Sequence, residues 1–194
     1  MRVADEDPPE VGLDGPDESE EVIRIDDTVY FSAEVNTKNV TKLVRCLHEA
    51  NGAALTKAHY PSDARVYLYI HSSGGDAFAG LSAMDLIRCN RVSVVTVAHG
   101  YVASSASLML LGADERKIMS NAKILIHQLS TAFFGKYGDL LDEVANSKEL
   151  MQSFQKVYSQ RTSLSAKKVE SLLTKELHIN ATTALRMGFV DEIW

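Results

Sequence analysis

Little in this chain could hold a fold together covalently. It has two cysteines, Cys46 and Cys89, in 194 residues. Both fall in apolar helical patterns, where buried free thiols of a reducing cytosol are expected rather than a disulfide framework. No CxxC or HExxH spacing occurs, so the common cysteine and histidine metal centres have no support, and no metal or other cofactor is expected. No apolar run reaches the roughly 18 residues of a membrane span, and the N-terminus is acidic rather than basic and apolar. A membrane or secreted protein is thereby disfavoured, and a cytoplasmic one expected. No Lys/Arg block marks a nucleic-acid partner. Proline is scarce and unevenly placed: Pro8, Pro9 and Pro16 crowd the start, leaving Pro61 for all the rest.

What is present is an ordinary globular balance, with 45% hydrophobic and 24% charged residues. A body of about 170 residues buries roughly 70% of its unfolded surface, enough for one core. The net charge of −6 is not spread evenly. Residues 1–21 hold nine carboxylates against Arg2 alone, a local charge of −8 that leaves residues 22–194 at +2. With its prolines and few apolar residues, segment 1–21 buries too little to offset its ordering entropy. It is expected to be a disordered acidic tail on a single domain over 22–194.

Val22–Ile25 and Thr28–Phe31 are short strand candidates, and Val40–Ala50 is a helix with Val40, Leu43, Val44 and Leu47 on one face. Val66–Ile70 is a buried strand running into His71-Ser72-Ser73-Gly74-Gly75. A helix over 78–89 follows, then a strand over 92–98, the segment Gly100-Tyr101-Val102-Ala103-Ser104-Ser105-Ala106-Ser107, and a helix through Leu108–Leu111. Ala122–Ile126 is a further strand ending at His127. Tyr137, Leu140, Leu141, Val144, Met151, Phe154 and Tyr158 form a long helical stripe over 137–161, interrupted at Ser147-Lys148. Ser165 caps a following helix, and 181–187 adds one or two turns. Repeated strand–turn–helix units indicate an α/β sheet with right-handed crossovers, and sites in such sheets gather at the carboxyl ends of strands. Gly75, Ser104 and His127 all stand there.

Each of these residues has two readings. Ser104, among small residues between a strand and a helix, is either a nucleophile or an ordinary helix cap. Gly74-Gly75 is either a tight turn or a backbone that brings an amide close to a reacting carbonyl. A phosphate loop is disfavoured, because no GK[ST] follows and Asp76 would repel phosphate. His127 is a general base or a satisfied polar strand end. His71 and His99, each also ending a strand, are its rivals.

Taken in order, three stretches resemble the Clp protease proteolytic subunit family. Tyr67–Gly75 is similar to that family's strand ending in Asn-Ser-Pro-Gly-Gly, Gly100–Ser104 to its nucleophile motif, and Ile124–Gln128 to its Met-Ile-His-Gln. The 29-residue step from Gly75 to Ser104 also matches. The resemblance covers about 22–194. It implies Ser104 as nucleophile, His127 as base, and the amides of Gly75 and Ser105 as the oxyanion hole. Counting back from Ala184–Asp191 places Glu176 at the position of the triad acid, where aspartate is usual; the alternative for Glu176 is a solvated helix-end charge. His71, Ser73 and Leu129 depart from the family pattern and mark a divergent member, of a kind a phage could encode.

The fold so implied is α/β, ClpP/crotonase-like, with repeated β-β-α units and a long protruding handle helix over about 137–161. The implied activity is a serine endopeptidase cutting unfolded proteins or peptides, with substrate paired as an added strand near residues 128–134. The implied partners are further copies of the chain, as heptameric rings stacked into a tetradecamer, and a separate AAA+ unfoldase, since the chain carries no ATPase motif. A catalytically silent subunit of a mixed ring, or a crotonase-like acyl-CoA enzyme, are the alternatives.

Overall fold

The computed structural model describes residues 21–194. The expectation of a disordered tail falls on residues outside the described ones, except that Glu21 opens the first strand. Strands β1 (Glu21–Ile25) and β2 (Thr28–Ser32) form an antiparallel hairpin. Its Val22, Val29 and Phe31 are buried, as alternation requires.

Helix α1 (Thr37–Lys57) is twice as long as the apolar stripe indicates. It starts where Asn36 accepts a hydrogen bond from the Asn39 amide at 2.9 Å, a side-chain N-cap. Val40, Leu43 and Leu47 are buried with Cys46, Ala50 and Ala54, but Val44 is exposed, because 100° per residue carries it off the buried face.

The rest alternates: β3 (Arg65–Ser72), α2 (Ala77–Arg88), β4 (Ser93–Ala103), α3 (Ser105–Gly112), β5 (Glu115–Ile118), β6 (Lys123–Leu125), α4 (Tyr137–Arg161), α5 (Ala166–Leu173), β7 (Ile179–Asn180), α6 (Ala181–Arg186) and β8 (Glu192–Ile193). The sheet runs β1-β2-β3-β4-β5-β8, parallel from β2 onward, with β6 joining β4 and β7 joining β6. The α/β class holds. Short strands β5, β7 and β8 carry no apolar alternation that the sequence could show; they pair because their neighbours present open edges.

The length of β4 decides where the site lies. Its first half pairs with β5 through Val95–Ala98 and its second half with β6 through Tyr101–Ala103. Between them the strand bends at Gly100, where φ is +72°. Across this bend the β3 register jumps from Ile70↔Ala98 to Ser72↔Val102. The bulge would orphan the Tyr101 amide, and His71 Nδ1 accepts from it at 3.1 Å. His99 lies inside β4 rather than ending a strand, whereas His71 is the next-to-last residue of β3.

Helix α3 is buried on every side, and α2 packs directly against it. Helix α4 is continuous through Ser147-Lys148, correcting the expected interruption. It buries Phe154 and Tyr158, whereas Tyr137, Leu140, Leu141 and Val144 are exposed near its start. Cys46 is buried, and burial pushes its thiol pKa up; Cys89, expected to be buried, is exposed at the end of α2. No helix among the described residues is long and apolar enough to cross a membrane.

Candidate active site

Three strand ends deliver the site. Ser104 follows β4 directly and occupies the N-cap position of α3. Its backbone has φ +53° and ψ −129°, a conformation that L residues adopt only at a cost of about 1–3 kcal/mol. Hydrogen bonds hold it there from both sides. The Ser104 amide donates to the Leu125 carbonyl at 2.9 Å, tying the turn to the end of β6. The Ser104 carbonyl accepts from the Ser107 amide at 3.0 Å and from the Ser107 hydroxyl at 2.6 Å.

The expected alternative for Ser104 was a helix cap. Among the described residues its hydroxyl makes no cap hydrogen bond, so the side chain is left half-exposed and available for chemistry.

The loop after β3 lies against this turn. Gly74 has φ +99°, and a Cβ there would come within 2.6 Å of Ser104 Cβ and 2.7 Å of the Ala103 carbonyl oxygen. Gly75 has φ +144°, and a Cβ there would run into the Val35 carbonyl. Only glycines permit both the backbone shape and the approach. Val35 donates to the Gly74 carbonyl at 2.8 Å and accepts from the Asp76 amide at 2.7 Å. In such a bridge the residue between points its amide the other way, so the Gly75 N–H faces away from Val35. The Ser105 N–H belongs to the first turn of α3, which has no intrahelical acceptor. Neither amide has a hydrogen-bond partner among the described residues. The Ser105 hydroxyl is buried and likewise without a partner there.

His127 lies two residues past β6. Its Nδ1 stands 2.6 Å from the Gln128 carbonyl. A carbonyl can only accept, so Nδ1 is the donor there, and in the neutral imidazole this leaves the Nε2 lone pair free, the tautomer a general base needs. No hydrogen bond joins Ser104 to His127 among the described residues. They line one cavity of about 140 Å³, together with Gly75, Ser105, Phe154 and Tyr158. Gly75, Leu129 and Ser130 also border a larger open cleft of about 600 Å³ beneath α2 and α4.

No hydrogen bond or ion pair joins Glu176 to His127 among the described residues. The Gln128 amide donates to the Leu173 carbonyl at 2.8 Å, so it is the end of α5 that meets this segment. Glu176 follows in the exposed turn after it. The Tyr101 hydroxyl pKa is raised, by burial first and by the charge of Glu176 second.

Sequence reasoning missed Ser107, Tyr158 and the Gln128 carbonyl. Ser107 Oγ lies 2.7 Å from the Tyr158 hydroxyl, both buried. Tyr158 was legible as a stripe residue, and a tyrosine rather than a phenylalanine on a buried stripe needs a partner for its hydroxyl. A backbone carbonyl leaves no trace in side-chain identity.

The model of the family described as Clp protease matches residues 22–194. The ATP-dependent Clp protease proteolytic subunit 2 of Treponema denticola is 30% identical over 167 residues, covering 85% of this chain and 80% of that protein. The corresponding subunit of Deinococcus radiodurans is 28% identical over 130 residues, covering 66% of this chain and 64% of its own. Among solved structures, a mutant of ClpP1 from Listeria monocytogenes superposes with a TM-score of 0.74 at 20% identity, covering 87% of this chain and 91% of that one. At that identity the likeness speaks to the fold.

Proposed function

The chain belongs to the Clp protease family, and from that premise we propose that it is a serine endopeptidase with Ser104 as nucleophile and His127 as general base. The observation that carries this reading is the Ser104 turn. A strained serine at a strand–helix junction has a hydroxyl that does not cap its helix and opens onto a cavity shared with an imidazole. A serine serving only the fold would relax to ordinary dihedrals and cap α3.

In this reading Ser104 Oγ attacks the scissile carbonyl and His127 Nε2 takes its proton. The oxygen that gains charge is met by the Gly75 and Ser105 amides, which have no other partner among the described residues. His127 then returns the proton to the leaving amine, and water repeats the cycle on the acyl-enzyme. Hydrogen bonding between Ser104 and His127 forms as substrate closes the cavity, since such contacts are often long without it. The Gln128 carbonyl fills the place at Nδ1 that the family resemblance implies for Glu176.

An extended peptide fits the cleft as an added strand beside residues 128–134, a segment without regular secondary structure. Assembly with copies of itself into stacked heptameric rings accounts for the apolar residues that α4 leaves open: Tyr137 is 77% and Val144 67% exposed. A separate AAA+ unfoldase would deliver folded substrates.

A fluorophosphonate probe applied to the full chain, with the adduct mapped by mass spectrometry, tests the reading. Modification of Ser104 that is lost in Ser104→Ala supports it. A folded, assembled protein that never reacts at Ser104 refutes it and leaves a silent ring subunit.

A further inference from the structure

The Ser104–Ser105 peptide bond joins two functions in one rigid plane. Its carbonyl oxygen accepts from the Ser107 hydroxyl at 2.6 Å and the Ser107 amide at 3.0 Å. Its N–H is the Ser105 amide. In a trans peptide these two groups point in opposite directions, so whatever fixes the carbonyl also aims the N–H. The Ser107 hydroxyl has spent its proton on the Ser104 carbonyl, so across the 2.7 Å contact the Tyr158 hydroxyl must be the donor. The chain of hydrogen bonds therefore runs one way, from Tyr158 to Ser107 to the Ser104 carbonyl.

We propose that Ser107 and Tyr158 are positioning residues of the peptidase, orienting and polarising the Ser105 amide toward the tetrahedral intermediate's oxygen. The inference rests on the peptidase reading and adds to it two residues whose hydroxyls act through the Ser104–Ser105 peptide rather than on the substrate.

Three observations support a positioning role over simple core filling. Both side chains are buried, Ser107 fully and Tyr158 to 3% exposure, so the hydrogen bonds are shielded from water and gain from the low local dielectric. Burial pushes the Tyr158 hydroxyl up to about 12, against the lowering effect of Ser107, so it stays a protonated donor at every working pH. The Ser104 backbone is strained, and a strained turn needs restraint on both its amide and its carbonyl. Leu125 supplies the first and Ser107 the second. Because Tyr158 lies on α4, this route also joins the long helix to the oxyanion position.

The test uses the assembled full chain, a fluorogenic peptide and a peptide boronic acid, whose adduct with Ser104 Oγ places an oxygen where the oxyanion forms. Ser107→Ala should lower kcat about tenfold, less than the 10²–10³ lost on removing an oxyanion donor outright. KM should be unchanged and boronate affinity should fall by the same factor. Tyr158→Phe, which keeps the ring, should lower both severalfold. The double variant should be no worse than Ser107→Ala alone, because the two hydroxyls act in series, and its Tm should recover part of what Ser107→Ala loses by orphaning the tyrosine hydroxyl. Wild-type kcat and boronate affinity in either single variant, whatever its Tm, overturn the proposal, as do losses that multiply in the double variant. A wild-type protein unreactive at Ser104 overturns the peptidase reading and this proposal together, whereas the former outcomes leave Ser104 labelling intact.

Discussion

Gly80 offers a measurement of how closely α2 holds the site. It lies inside α2, where alanine is ordinarily preferred to glycine by about 1 kcal/mol. Here an added Cβ would stand 2.7 Å from Ser105 Cβ, 3.0 Å from the Ser105 carbonyl oxygen and 3.3 Å from its Cα. Carbon atoms in contact prefer about 3.5–4.0 Å, so Ser105 must retreat by about 1 Å. None of these atoms is the end of a flexible side chain, and α3 is buried on all sides, so the helices must part as units. Overpacking of this kind costs about 1–3 kcal/mol, which offsets the propensity gain and leaves Gly80→Ala neutral to about 2 kcal/mol less stable. The consequence for reactivity is larger. The displaced residue carries the amide proposed to meet the oxyanion, and a shift of about 1 Å costs on the order of 10² in rate. Denaturant unfolding and the rate of fluorophosphonate labelling at Ser104 would be read side by side. The expected result is labelling at least about tenfold slower with only a modest loss of stability. A variant about 1 kcal/mol more stable and equally reactive would show that α2 and α3 do not approach this closely.

Other outcomes follow from the same geometry. Ser104→Ala and His127→Ala should each lower kcat on the order of 10⁴–10⁶, and the double variant should be little worse, since the two act as one unit; comparable turnover in either single variant removes that residue from the reaction. Glu176→Gln should leave peptide hydrolysis within about twofold, as for a surface charge without a catalytic partner. A loss of a hundredfold or more would show that a carboxylate does reach Nδ1 of His127 during turnover. Stability should also fall in alkali on account of Tyr158. Its pKa is about 10 unfolded and raised to about 12 in the fold, so between those values the unfolded chain gives up a proton that the fold retains. The contribution is complete below pH 10 and lost as pH approaches 12, about 2–3 kcal/mol in all. Denaturant unfolding of wild type and Tyr158→Phe across pH 9–11.5 would show the gap narrow, and a constant gap would refute the burial of that hydroxyl.

Much of the fold was legible because its signal is local. Apolar runs marked β3 and β4, a 3.6-residue stripe marked α4, and Ser165 marked the start of α5, whose Lys168 amide it caps at 3.3 Å. The order of strand, glycine pair, strand, serine, strand, histidine was enough to suggest both the family and a common edge for the site. The misses have physical causes too. The Ser147-Lys148 pair reads as a break, yet α4 runs through it, because a half-buried serine and an exposed lysine interrupt the apolar stripe without breaking a helix. Strands of two to four residues, such as β5, β7 and β8, are set by the edge they join rather than by their own propensity.

The sequence by itself determined which side chains could react and where along the chain they stand, because residue type and strand ends are written one position at a time. Tertiary structure decided what each of them faces. It turned Ser104 away from its helix, occupied the rival His71 with the Tyr101 amide, set the Gln128 carbonyl at His127, and left Glu176 exposed after α5. It also carried Tyr158 from α4 across 51 residues to Ser107. Such contacts depend on backbone direction and on packing between distant segments, and neither has a signature in the identity of a single residue.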